Sequence, residues 1–316
     1  MTSFKEKLNH QLDEMIIYRR NLRYQETTTS STLRPFLDYC GEHFPKGTAV
    51  TEEMVSSWLA YRRYNSPNTA NAFLSCLRHY SAFIRLNGEE AFFPGDEYNQ
   101  TYIQFIPTLL NEEEIGSLFY TIDTSCTRRK CDPPTEIISP VLYRFMLICG
   151  LRPAEPLHLL KDDVNLETGD VYIRKSKNHK DRHIIVSEDM RNLCRAYDSL
   201  QCPERVYFFE HNNKALLRSW MTNHFRTLAM KSNLGDKAET IRPYDLRHMF
   251  ASRTIMKWID DSQDVMALLP YLSVYMGHTD IEATLYYVHL LPERLKKSAG
   301  IDWSVFSSVY GGTYEG

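Results

Sequence analysis

No run of roughly 18 apolar residues, the length a membrane-crossing helix needs, occurs in this chain of 316 residues. That excludes a helical membrane span. The amino-terminal segment MTSFKEKLNHQLDE is polar and lacks the apolar centre of a secretory signal. The seven cysteines show none of the paired short spacings of a zinc site or a disulfide framework. Cys126 and Cys131 flank a basic segment with no second pair nearby, so both are read as loop thiols. Reduced cysteines and a cytoplasmic location are expected. There is no phosphate-cradling glycine loop, no His-Glu-x-x-His zinc motif and no acidic cluster of the magnesium-holding type. No metal and no cofactor are therefore expected. Charge of one sign is also missing. Lys and Arg number 37 against 40 acids, a net charge of −3, which argues against a histone-like or polybasic binder. Internal repeats and low-complexity segments are absent.

What the chain does hold is the composition of a globular protein, 43% hydrophobic and 24% charged, long enough for two domains and a sizeable core. The first hundred residues read as helical. Leu8, Leu12, Met15, Ile16 and Tyr18 keep a helical apolar spacing before Arg19, Arg20 and Arg23. Residues 27–32 form a Ser/Thr-rich break able to cap the next helix. Thr51 opens another, which carries the Arg62–Arg63 pair, and ANAFLSCLRHYSAFIRL is strongly amphipathic. The arginines of this unit suit either phosphate contact or a solvated face.

Asn87-Gly88, Pro94-Gly95 and Pro107 punctuate the polar stretch that follows. The expected organisation is a helical domain over 1–88, a linker over 89–106, a second domain over 107–291 and a tail over 292–316. In the second domain Asn111 can cap a helix that starts with Glu112, Glu113 and Glu114. The only strand signals are Val171–Ile173, after the Thr168-Gly169-Asp170 turn, and His183–Val186, joined by a short basic hairpin loop. Everything after residue 187 reads as helix, and Tyr207–His211 as core rather than a base-stacking platform. The fold class expected is mainly α with a small antiparallel β-sheet, α+β.

Four local patterns carry candidate chemistry. In CGLRPAEPLHLL, Arg152 stands three residues before Glu155, and a guanidinium in an apolar setting can grip phosphate in a bidentate fork. An ordinary Arg–Glu pair is the plainer reading. The hairpin bears Arg174, Lys175, Lys177, Lys180 and Arg182. These can meet a DNA backbone, and a lysine there can donate a proton to a leaving oxygen. A solvated loop is its plainer reading. In IRPYDLRHMFASR, Pro243 starts a helix that brings Arg247 and His248 close to its positive end; a capping arginine would look the same. In YMGHTDIEATLYYVHL, Gly277 ends one helix, Thr279 with Glu282 forms a capping box for the next, and Tyr286 and Tyr287 follow on that helix. A tyrosine pair there also suits packing.

Each pattern is weak alone. Their order and spacing together resemble the catalytic domain of the tyrosine recombinases, also called phage-type integrases, from about Thr108 to about Leu291, and the helical first unit is similar to that family's core-binding domain. The resemblance implies that Arg152 and Arg247 are catalytic arginines, with Glu155 the structural companion of the first. It implies that Lys177, five residues before Arg182, is the hairpin lysine, that Gly277-His278 is the Gly-His pair, and that Tyr287, nine residues after His278, is the nucleophile in preference to Tyr286. One position departs. Tyr244 stands where the family usually has His, three residues before the second arginine. A phenol can donate to phosphate, but phenols ionise near 10 and make poor general bases. Either another group such as His278 takes the nucleophile's proton, or activity is reduced.

The implied activity is metal- and ATP-independent breaking and rejoining of double-stranded DNA through a 3′-phosphotyrosine, by a homo-tetramer on two sites. A tail segment holding Ile301, Trp303, Val305 and Phe306 docks either on a neighbour or on its own domain. An integrase or transposase of a mobile element fits best. The alternatives are a DNA-binding relative impaired in cleavage, and a monomeric nicking-closing enzyme of the type IB topoisomerase kind.

Overall fold

A computed structural model describes residues 3–24, 28–103, 105–126, 133–174 and 181–289. Lys175, Lys177, Lys180, Cys131 and the 292–316 tail lie outside the described residues. The chain divides into two compact units, 1–105 and 106–316.

Unit one is a bundle of α1 (Phe4–Asn21), α2 (Thr29–His43), α3 (Glu52–Arg62) and α4 (Pro67–Leu86). Their inward faces supply its core: Leu8, Leu12, Met15 and Ile16 from α1, Phe36 and Leu37 from α2, Trp58 from α3, and Phe73, Leu74, Leu77 and Ile84 from α4. Tyr18, counted in the α1 stripe from its spacing, is instead 42% exposed and leans on Phe83. Ser3 and Glu6 cap α1 reciprocally, and Thr51 caps α3 through the Met54 amide. The Ser/Thr-rich break makes no such cap, because Thr28 takes helical dihedrals and its side chain accepts no amide of α2. The stretch expected as a linker runs along α4. Ser81 donates to the Phe92 carbonyl, Arg78 to those of Pro94 and Gly95, and Asn71 and Asn68 to those of Gln100 and Ile103.

Unit two begins with α5 (Glu112–Asp123) and α6 (Thr135–Cys149). Asn111 and Glu114 form the capping box of α5. Helix α6 is buried nearly all round, from Ile138 through Phe145 to Cys149, as a helix at the centre of a domain must be. The short α7 (Ala154–Leu157) leads to the expected hairpin of β1 (Asp170–Ile173) and β2 (Arg182–Ile185), paired antiparallel with Asp170 opposite Ile185. Then come α8 (Glu188–Asp198), β3 (Glu210–His211), β4 (Lys214–Ala215), α9 (Arg218–Lys231), α10 (Lys237–Thr240), α11 (Pro243–Asp260), α12 (Val265–Met276) and α13 (Glu282–His289).

The β3–β4 hairpin corrects the all-helical expectation after residue 187. Asn212 and Asn213 both take positive φ, 53° and 58°, the dihedrals of a two-residue hairpin turn that Asn tolerates. Phe208 and Phe209 are buried as expected of core. The capping of α13 is a second correction. Asp280, not Thr279, accepts from the Ala283 amide, while Thr279 donates to Asp280. Among the described residues no helix is long and apolar enough to cross a membrane.

Candidate active site

The site forms where α6, α11 and α12 end or begin near one another. Helices α6 and α12 both stop at a glycine in the left-handed conformation, Gly150 at φ 62° and Gly277 at φ 67°. Such ends leave carbonyls without helical partners. Arg247 supplies donors to two of them, at 2.6 Å to the Gly150 carbonyl and 2.7 Å to that of Met276. Arg152 donates to the Gly277 carbonyl at 2.6 Å. Each guanidinium therefore also neutralises the partial negative charge of a helix carboxyl end. The sequence places Arg247 close to the positive end of α11. It stands in the second turn and reaches the negative ends of two other helices.

Arg247 is wholly buried, and its Nε has no hydrogen-bond partner. Burial, and then the nearby Arg152 charge, lower its pKa from 12.5. The Arg152 side chain is 14% exposed. Beneath both lies Glu155. Its carboxylate accepts from the Arg152 amide at 2.8 Å, from the Arg152 guanidinium at 3.0 Å, and from both terminal nitrogens of Arg182 at 2.8 Å. Burial alone would raise this carboxyl. The hydrogen bonds and charge of Arg182, with the Arg152 amide, outweigh it and hold the pKa at about 2. The Arg–Glu pair foreseen as the plainer reading exists, but as part of a three-residue cluster.

His278 follows Gly277 and packs between the guanidinium of Arg247, 3.0 Å from its Nε2, and the Thr284 hydroxyl, 2.6 Å from its Nδ1. A guanidinium has no lone pair to offer. Nε2 must therefore accept, and Nδ1–H donates to Thr284. Burial first, then Arg247 and Arg152, push His278 down to about 3, so the ring is neutral.

Tyr287 extends from α13 onto this group. Its ring lies parallel to His278, centroids 6.1 Å apart, and tilted against His248 at 5.5 Å. It is 3% exposed and belongs to a cluster with Ala251, Leu269, Met276, Leu285 and Val288. Burial raises the phenol to about 12, while Arg247 pulls the other way. Tyr286, half-buried, faces His248 instead. Tyr244 lies one turn before His248 on α11, ring centroids 5.0 Å apart.

The structure thus brings Arg152, Arg247, His278, Tyr287 and Tyr244 together. The hairpin residues are placed differently. Arg182, expected to contact DNA, is bound to Glu155, with only 8% of its side chain exposed. Arg174 makes two 2.6 Å bonds to Asp163 with half its side chain in solvent. Sequence reasoning gave no role to Thr284 or to the Gly150 and Met276 carbonyls, and treated His248 only as the neighbour of Arg247. Thr284 had a usable signal, since it lies within the capped helix six residues after His278. Carbonyl acceptors carry none.

The sequence profile of the phage integrase family matches residues 109–294. An integrase/recombinase of Sinorhizobium fredii, y4rE, is 28% identical over 302 residues, covering 91% of this chain and 93% of that one. Tyrosine recombinase XerA of Thermococcus kodakarensis is 25% identical over 276 residues, 86% of this chain and 89% of that one. Among solved structures, the Tn1549 transposon integrase in complex with circular intermediate DNA shares the fold with a TM-score of 0.64 at 15% identity, covering 98% of this chain and 99% of that one.

Proposed function

The chain belongs to the phage integrase family, and we propose that it is a site-specific DNA recombinase of a mobile element in which Tyr287 attacks a DNA phosphodiester to give a 3′-phosphotyrosine. The observation that carries this reading is the convergence of two guanidinium groups and one imidazole on a single phenol. Attack on phosphorus loads negative charge onto the non-bridging oxygens, and preorganised cations at that point stabilise it. Arg152 and Arg247 supply the charge, and His278 orients Arg247. Lys177, from the hairpin loop, protonates the departing 5′-oxygen. The covalent link conserves the bond energy, so a second DNA end is joined without a nucleotide cofactor.

Arg247 has no exposed surface and Tyr287 almost none, so on this reading neighbouring side chains part to admit a phosphate. Leu285, Tyr287 and Val288 hold α13 against Ala251, Leu269 and Met276. On this reading the chain acts on duplex DNA as a tetramer on two sites, with the 292–316 tail passed to a neighbour. The test is a nicked suicide substrate carrying a candidate site. An SDS-resistant protein–DNA adduct that disappears in Tyr287→Phe supports the reading. DNA binding without an adduct supports instead a relative impaired in cleavage, the reading that Tyr244 favours.

A further inference from the structure

Tyr287 cannot attack as a neutral phenol without giving up a proton. Burial holds it at about 12, so on the order of one molecule in 10⁵ carries the phenolate at neutral pH. Arg247, beside it, is a cation and no base, and Tyr286 is another phenol. Tyr244 is itself a phenol. His278 is the obvious base, but its one lone pair faces the Arg247 guanidinium at 3.0 Å and its other nitrogen donates to Thr284. Taking a second proton would set two N–H groups of like charge against each other.

His248 differs on each count. It is 9% exposed, and its Nδ1 is buried with no hydrogen-bond partner. A buried polar atom left this way is uncommon and calls for a reason. The ring sits among phenols, 5.0 Å from Tyr244, 5.5 Å from Tyr287 and 6.2 Å from Tyr286 between centroids. Its backbone is fixed by Arg247, the residue before it on α11, which is tied to two helix ends.

We propose that His248 is a further catalytic residue, the acceptor of the Tyr287 proton. The proposal rests on the reading of Tyr287 as nucleophile. In cleavage the Tyr287 oxygen–phosphorus bond forms and the phosphorus–O5′ bond breaks. The phenolic proton passes to His248, and the 5′-oxygen takes one from Lys177. In rejoining, the 5′-hydroxyl attacks the phosphotyrosine, its proton returns to Lys177, and His248 returns its proton to the phenol. The charged groups that act on His248 are Arg247 on its own helix and Arg242 just before it, with the phenols of Tyr244, Tyr286 and Tyr287 around the ring. Burial, then Arg247 and Arg242, hold it at about 4. A phosphodiester bound against Arg247 brings a negative charge that offsets the arginine, so the imidazole becomes more basic when substrate is present.

The experiment is single-turnover cleavage of a nicked site over roughly pH 6 to pH 10, comparing wild type, His248→Gln and His248→Ala with and without added imidazole. We expect His248→Gln to bind DNA as wild type does and to cleave about 10²- to 10⁴-fold more slowly at neutral pH, with a deficit that shrinks as pH rises. His248→Ala should recover in proportion to the imidazole added. A His248→Gln rate within about threefold of wild type, or a deficit that neither pH nor imidazole changes in a variant with unaltered melting, overturns the proposal. If wild type itself forms no adduct, or Tyr287→Phe still forms one, the underlying reading fails and the proposal falls with it.

Discussion

Arg247 donates a 2.6 Å hydrogen bond to the carbonyl of Gly150, a residue 97 positions earlier in the chain. Gly150 immediately precedes the loop that holds Arg152, and Arg152 in turn reaches the carbonyl of Gly277, next to His278. Both guanidinium groups are thus tied to the end of α12, at Met276 and Gly277, and Arg247 also to the end of α6. An anion between them meets charges whose positions are set by backbone rather than by flexible side-chain stems.

This lattice makes Arg247 irreplaceable by lysine. An ammonium can meet one of the two carbonyls but not both with the planar fork. Arg247→Lys should lose stability by about 1–3 kcal/mol for each carbonyl left unpaired, read by urea denaturation. Cleavage should fall further than stability accounts for. Unchanged stability would show that the carbonyls find other partners.

Gly150→Ala tests the same bond from the other side. The residue sits at φ 62°, and an added Cβ would lie 2.3 Å from the Phe250 ring. The strained dihedral alone costs on the order of 1–3 kcal/mol, and the displaced carbonyl misplaces Arg247. Melting temperature and adduct formation should drop together.

Glu155 should make the fold acid-sensitive. Its pKa falls from the usual 4.5 to about 2 on folding. The lowered value means that its contribution is fully present above pH 4.5 and is lost as pH falls towards 2. The size is about 3 kcal/mol, an order of magnitude only. Stability measured through that window should decline more steeply in wild type than in Glu155→Gln, which lacks the titration.

The buried histidines act at higher pH. His248 is lowered to about 4 and His278 to about 3, chiefly by burial and then by Arg247. A histidine whose folded pKa is depressed gives its full contribution above the unfolded value near 6.5, and loses it as pH falls below that. Denaturation midpoints should therefore begin to fall below about pH 6.5. His278→Gln should flatten part of that slope. A midpoint independent of pH from neutrality down to the carboxylate range would contradict the buried, neutral assignment.

Thr284→Val should uncouple orientation from stability. The methyl fills the same space, while the acceptor of the His278 Nδ1–H is lost. Cleavage should fall by about tenfold or more through loss of ring orientation, by analogy with groups that orient a functional histidine. DNA affinity should stay near wild type.

Much of this was legible in the chain itself because the relevant signals are local. The apolar stripe of α4, the Asn111–Glu114 capping box, the Gly277 helix end and the β1–β2 hairpin each follow from neighbouring residues. The choice of Arg152, Arg247, His278 and Tyr287 came instead from the resemblance of their order and spacing to the tyrosine recombinases. The asparagine turn between β3 and β4 was locally encoded too, and an all-helical reading passed over it because strands of two residues carry no alternation. Other features were not readable, because they depend on which distant elements meet. Nothing near Arg182 says that Glu155 will capture it, and nothing near Arg247 names the carbonyls it binds. The burial of Tyr287 is likewise a product of α11 and α12 packing on α13. Nor could spacing separate His248 from His278 as a proton acceptor, since the difference lies in which ring nitrogen is already engaged.

The most direct measurement is the chemical identity of the DNA-linked residue. Protein trapped on a nicked site is digested with protease and nuclease, and the nucleotide-bearing peptide is sequenced by mass spectrometry. The account predicts a nucleotide esterified to the oxygen of Tyr287, within the segment Ile281–Val288. A nucleotide on Tyr286, on Tyr244 or on any residue outside that segment would contradict it.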